Sequence, residues 1–285
     1  AISFQMKNNV HIFTVPFEQK KVLLLSDLHW DNPHCDRVLL KKHLDLALKG
    51  GHDVLLNGDT FCCMAGKYDP RRSKEGIRPE HNVNNYLDAI VNDAIEWFKP
   101  YAKIIKVVGY GNHETAILKN LESDLIQRFV FGLNRDCGSS IQAGGYGGWI
   151  IYQFKDQTIR KTFKIKYFHG SGGGGPVTRG VIQFNRMSTF IDGADMIWMG
   201  HVHECNEVIY TSEFLNKKHN VELRNILMVR TATYKEEYNK GLGGWHVERG
   251  ATPKPTGGRY LELNPERIIK NKVETVTLNA MTYRA

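Results

Sequence analysis

The chain has 285 residues, 41% hydrophobic and 24% charged, which excludes disordered, collagen-like and membrane-spanning classes and fits a single domain over 1–285. A chain of this length buries about three quarters of the surface its unfolded state exposes, so it needs neither disulfides nor a structural metal to fold, and a metal would be there for chemistry. The 38 basic against 30 acidic residues give a formal charge of +8, which draws polyanions, nucleic acid foremost, to the surface.

Cys35, Cys62, Cys63, Cys137 and Cys205 are an odd number with no CxxC spacing, so neither a disulfide framework nor a zinc finger is expected, and a reducing cytoplasm fits. No run approaches the roughly 20 apolar residues of a membrane helix, and residues 1–7 lack the basic-then-apolar pattern of a secretion signal. The expected location is cytoplasmic, without membrane contact, and no motif points to a protein partner.

Residues 21–26 (KVLLLS) form a short apolar run that predicts a buried strand ending at Asp27. Residues 36–49 mix Leu and Lys at helical spacing, and Gly50-Gly51 stops the helix before a second strand at 53–56. The same grammar continues with a helix at 84–98, a strand at 104–108 and one helix at 115–131, and this alternation predicts a largely parallel sheet. It then changes: 149–154 and 162–168 flank a polar turn and read as a hairpin, so a second sheet is expected. An apolar strand at 196–199 precedes strand-like runs within 204–285, at 207–211, 225–229, 260–263 and 273–278, which are assigned to that second sheet together with C-terminal loops. Long loops are expected at 64–82, a basic insertion, at 170–175 and at 235–258, and loops of this length inside a domain are usually functional.

Five of the predicted strands end in metal-binding side chains: Asp27-Leu28-His29, Gly58-Asp59, Gly111-Asn112-His113-Glu114, His169-Gly170 and Gly200-His201-Val202-His203. In an open α/β sheet such strand ends meet along one edge, and an extended chain would turn Asp27 and His29, and likewise His201 and His203, to one side. A lone DxH or GNH is common by chance, and any one of these histidines is more often a surface or satisfied core residue. The ordered set is not. Three oxygen donors (Asp27, Asp59, Asn112) and four imidazoles (His29, His169, His201, His203) are too many for one tetrahedral ion, so two divalent metals are expected, the arrangement that clamps a phosphoryl displacement. Mixed nitrogen and oxygen ligation suits Mn first, with Fe, Zn or Co as alternatives.

The ordered set DLH, GD, GNHE, H and GHVH resembles the calcineurin-like metallophosphoesterase superfamily, over residues 27–203. The resemblance implies a four-layer α/β/β/α sandwich with two mixed sheets and a dinuclear centre. It implies Asp27, His29, Asp59 and His203 on the first metal, and Asp59, Asn112, His169 and His201 on the second, with Asp59 bridging. It further implies a metal-bridging hydroxide as nucleophile and His113, which is not a ligand, as general acid or electrostatic partner of the leaving oxygen. Two departures bear on the branch. The phosphoprotein phosphatases extend the second motif to GDxxDRG and keep one histidine of the last, whereas Asp59 here precedes Thr60-Phe61-Cys62-Cys63 and both His201 and His203 are present. Both features look more like the diesterase and nuclease branches.

Substrate contacts are sought in the loop after Asp59, where Arg71, Arg72 and Lys74 could meet a phosphate backbone, in Arg179 beyond the glycine run, and in Trp245 of the last loop as a base-stacking platform. The expected activity is a metal-dependent phosphodiesterase or nuclease acting on nucleic acid. The alternatives are a phosphomonoesterase or small-molecule (cyclic nucleotide) phosphodiesterase and, in another class, a catalytically inactive nucleic-acid-binding module.

Overall fold

The computed structural model describes residues 9–63, 76–156, 160–238, 242, 245–248, 250–270 and 273–285. Two six-stranded mixed sheets face one another. The first has the order β1 (Val10–Pro16), β6 (Gly147–Lys155), β7 (Arg160–Phe168), β8 (Met196–Met199), β10 (Val221–Arg230), β9 (Asn206–Leu215). The second has the order β12 (Val273–Arg284), β11 (Arg259–Lys270), β2 (Lys20–Leu25), β3 (Asp53–Leu56), β4 (Ile105–Val108), β5 (Gln142–Ala143). Strands β2 to β5 are parallel, as are β7, β8 and β10, so several carboxyl ends open along one edge.

The layers follow from which side chains are apolar on each face. On the outer side of the second sheet, Leu23, Leu25, Val54 and Leu56 pack on α1 (Arg37–Gly50), α2 (Tyr86–Phe98) and α4 (Leu125–Cys137). Between the sheets, Val22, Leu24 and Leu55 meet Tyr152, Phe154, Ile165 and Trp198. On the far side, α5 (Val181–Ser188) places Phe184 and Met187 over Ile197, Met199 and Met228. The result is the expected four-layer sandwich, with a helical layer of only eight residues on the first sheet. Each fully buried large side chain contributes about 1.5–3 kcal/mol to holding these layers.

Helix α1 shows the local logic. Asp36 caps it by accepting from the Leu39 amide at 2.8 Å, Leu40, Leu44 and Ala47 recur on the buried face, and Gly51 ends it at φ 63°. The single helix expected at 115–131 is instead two, α3 (Asn112–Leu121) and α4. Glu122 takes φ 52°, and the Asp124 carboxylate accepts from the Gln127 amide at 2.9 Å, so a stop and a fresh N-cap fall inside an apolar pattern that reads as continuous. A second difference concerns the C-terminal strands. Only β9 and β10 join the sheet of the 147–168 hairpin; β11 runs antiparallel to β2 and, with β12, edges the other sheet. Strand β1, helix α5 and the short β5 are additional to the sequence expectation. Among the described residues no helix is long and apolar enough to cross a membrane, and all five cysteines are free thiols.

Candidate metal centre

The seven expected donors converge at the carboxyl ends of β2, β3, β7 and β8 and the start of α3, in two groups whose ligand atoms lie within 4.8 Å of one another: Asp27, His29 and His203, and Asp59, His169 and His201. The groups adjoin at His169, whose Nε2 is 3.2 Å from Asp59 Oδ2 and 3.9 Å from Asp27 Oδ1. Asn112 sits in the second group, its Oδ1 2.8 Å from His201 Nδ1 and 3.3 Å from His169 Nε2. In the first, His203 Nε2 is 3.4 Å from Asp27 Oδ1 and 3.2 Å from His29 Nε2.

The alternation expected of an extended chain is not what aligns these donors. Asp27, His29, Asp59, His201 and His203 have φ of 52°, 45°, 49°, 72° and 57°, the left-handed region, so the backbone coils tightly past each strand end. Loop-to-loop hydrogen bonds hold the coils together: the Asp27 amide donates to Gly58 O and the His29 amide to Asp59 O, each at 3.0 Å. Two glycines are required by close approach. A Cβ on Gly111 would overlap the Asp59 carboxylate, and one on Gly200 would come within 2.5 Å of Asp27 Oδ2. The Asp27 carboxylate instead receives the His201 amide at 3.0 Å, and Asp59 Oδ1 receives the His113 amide at 3.0 Å.

The ring nitrogens turned away from the centre are held as well. His169 Nδ1–H donates to Asn57 O at 2.7 Å, His203 Nδ1–H to Glu237 Oε2 at 3.1 Å, and His201 Nε2–H to Gly172 O at 2.9 Å. Such partners fix the tautomer and aim the other nitrogen. Among the described residues, buried His29 Nδ1 has no hydrogen-bond partner. Glu114, also buried, accepts from the amides of Asp59, Phe61 and Gly111 at 3.1, 2.9 and 2.8 Å, and so ties the GNHE turn to the loop carrying Asp59. Burial, and then the Asp59 charge, push its carboxyl up to about 8. Asp31 braces the following turn through the amides of Cys62 and Cys63 and the Tyr86 hydroxyl.

Burial, then the His113 charge, hold His29 well below the usual imidazole range, and burial with the nearby His169 lowers His201. Both are neutral donors. Burial opposes charge on His169, yet Asp59 overrides it and raises the ring to about 9. His203 is likewise raised, to about 10, against its burial, by hydrogen bonds to Asp27 and Glu237. Burial would raise Asp59 too, but the His169 and His113 charges hold it well below the usual carboxylate range. Each group therefore holds one proton at its centre in the protein alone.

That chemistry fits cations. Neutral His201 spends its one N–H on Gly172 O, which leaves the Nδ1 lone pair facing Asn112 Oδ1 at 2.8 Å. Two acceptors in contact is an arrangement that a shared cation satisfies. The donor set, imidazole with carboxylate and amide oxygen, suits first-row divalent ions.

His113 stands beside the centre. Its Nδ1–H donates to Cys62 O at 2.5 Å, its Nε2 is 3.9 Å from Asp59 Oδ2, and its side chain remains 10% exposed. Cys62 Sγ lies in a further group with His29 and His113, and burial pushes its thiol far above the ordinary range in the metal-free protein. Of the expected substrate contacts, Arg71, Arg72, Lys74 and the Trp245 side chain lie outside the described residues. Arg179 is exposed at φ 44°, with its carbonyl accepting from the Asn206 amide group at 2.7 Å. Asn57, Glu237 and Asp31 carry no local sequence signal for these roles. Only Glu114, standing next to His113, carried a local signal.

No family model matches the chain, and no curated protein matches it. Among solved structures it is similar to a Thermotoga maritima protein determined by solution NMR, at 12% identity and TM-score 0.30, covering 92% of this chain and 99% of that one. It is also similar to GAP50, the anchor in the inner membrane complex of Plasmodium, at 10% identity and TM-score 0.39, covering 94% and 88%.

Proposed function

We propose that this chain is a hydrolase of the calcineurin-like metallophosphoesterase type, a phosphodiesterase that cleaves nucleic-acid phosphodiester bonds with two divalent metal ions, Mn first among them. The observation that carries the reading is the pair of adjoining donor groups, Asp27/His29/His203 and Asp59/His169/His201, with Asn112 between two imidazoles of the second. Bound there, two divalent ions would neutralise a phosphoryl oxygen and make a water nucleophilic near neutral pH. Asp59 would be the carboxylate shared by both ions. His113 gives a proton from Nε2 to the leaving oxygen: Cys62 O fixes its ring through Nδ1, and its exposed edge is the one a substrate would meet.

The formal charge of +8 supports a polyanionic substrate, and the free cysteines support a reducing, cytoplasmic setting. The test compares bis-p-nitrophenyl phosphate, p-nitrophenyl phosphate and linear or circular DNA and RNA, each with Mn²⁺ or EDTA. Mn²⁺-dependent cleavage of the diester and of polynucleotide is expected. Faster turnover of the monoester, with polynucleotide intact, would replace the nuclease by a phosphomonoesterase.

A further inference from the structure

Arg230, the last residue of β10, is fully buried. Taking a guanidinium out of water is costly unless charge or full hydrogen bonding compensates. Its hydrogen-bond partners among the described residues are carbonyls and an amide, and the Asp27 and Glu204 carboxylates favour its charge without pairing with it directly. One terminal nitrogen donates to Gly200 O, the other to Gly180 O at 3.2 Å and Gln183 Oε1 at 2.9 Å, while Nε has no partner. The plane lies 5.1 Å from the Phe184 ring. An apolar side chain would fill this place at lower cost, so the fork must be holding something.

What it holds forms a closed circuit. Gly200 immediately precedes His201. Gly180 and Gln183 are the cap and first turn of α5. The Gln183 amide donates to Ser171 O, and the next residue, Gly172, is the one whose carbonyl accepts His201 Nε2–H. The circuit runs Arg230, Gln183, Ser171, Gly172, His201, Gly200 and back to Arg230. It fixes both ends of one histidine: its backbone from behind, at Gly200, and its outer ring nitrogen from in front, at Gly172. The glycines at 172–175 give that loop little stiffness of its own, so the carbonyl needs an external anchor. The other donor histidines with held rings need none, because Asn57 sits next to Gly58 in the second sheet's own loop and Glu237 reaches His203 directly.

We propose that Arg230 is a positioning residue, acting with Gln183, that holds His201 as its Nε2–H tautomer and thereby sets the affinity of the second donor group for its cation more than that of the first. The inference rests on the dinuclear reading above for its second half only; the tautomer can be observed in metal-free protein.

The experiment uses the full chain with ¹⁵N-labelled histidine, as wild type, Gln183→Ala, Arg230→Lys and Arg230→Met. In the metal-free wild type the His201 nitrogens should report a protonated Nε2 and an unprotonated Nδ1, and in Gln183→Ala a mixture of tautomers. Mn²⁺ titrations followed by EPR separate an isolated ion from a coupled pair. One of the two binding steps should weaken about 10–100-fold in Gln183→Ala and Arg230→Met, the range for lost partners of a ligand. In Gln183→Ala the other step should change by less than about 3-fold, and Arg230→Lys should fall between wild type and Arg230→Met. If Arg230→Met does not fold, Gln183→Ala carries the test. An unchanged tautomer in Gln183→Ala, or equal weakening of both steps, overturns the proposal. Binding of one Mn²⁺ or none by the wild type would instead sink the dinuclear reading, while the tautomer result would still stand or fall alone.

Discussion

Replacing Asp59 by Asn separates the centre from the fold that carries it. The side chain is nearly isosteric, and the amide carbonyl can still accept the His113 amide that Asp59 Oδ1 receives at 3.0 Å. Two opposing changes follow in the metal-free protein. The pairing with Asp59, the largest of the influences that raise His169 against its burial, disappears. The cost of burying the Asp59 carboxylate, the largest influence on that group, disappears with it. The melting temperature of the metal-free variant should therefore lie within a few degrees of wild type. Cation binding has no such offset. At an effective dielectric of about 20, a unit charge about 4 Å from a dication is worth roughly 8 kcal/mol before desolvation, and if only a quarter survives, affinity falls about 30-fold. Mass-spectrometric metal analysis after dialysis against low-micromolar Mn²⁺ should find clearly fewer than two ions per chain, with diester hydrolysis lost. Two ions retained and normal turnover would refute the role given to Asp59.

Three further outcomes follow from the same geometry. His113→Ala should keep both metals and lose about 10²–10⁴-fold in turnover, most for poor leaving groups; loss of metal would make His113 a ligand. Glu237→Gln, which weakens the acceptor held by His203 Nδ1, should lower affinity at the first donor group about 10–100-fold, measured by equilibrium dialysis, and an unchanged affinity would reduce Glu237 to a surface anchor. Because His169 and His203 are raised to about 9 and about 10 while His29 and His201 are lowered, loading two ions at pH 7 should release about two protons. Affinity should then climb with pH until those two rings titrate. Calorimetry in buffers of differing ionisation enthalpy counts the protons, and affinity that falls as pH rises would contradict the charge states assigned.

Much of the centre was legible because each donor follows its strand within a few residues, so a one-dimensional pattern, apolar run then Asp or His, carries a three-dimensional edge. The layers were legible for the same reason: strand and helix periods alternate until residue 147 and then change. What spacing could not supply were contacts made from afar. Glu237 reaches His203 from beyond β10, and Arg230, the last residue of β10, reaches the Gly200 carbonyl next to His201, where nothing in the surrounding sequence marks one carboxylate or guanidinium among many. The split between α3 and α4 went unread because Glu122 and Asp124 interrupt an apolar period without breaking it. Strand β11 was assigned to the wrong sheet because an antiparallel edge strand on a parallel sheet reads like any other apolar run.

Five donors on left-handed backbone also set a limit on how this protein could be improved. Each non-glycine residue held there costs on the order of 1 kcal/mol or more, and five together approach the net stability of a typical domain, about 5–15 kcal/mol. Glycine at Asp27, His29, Asp59, His201 or His203 would relieve that conformational cost at the positions the centre cannot give up. Laboratory selection for heat resistance alone would therefore be expected to erode these side chains early, and a hardened variant obtained that way should be sequenced at these five positions before its activity is compared with the parent.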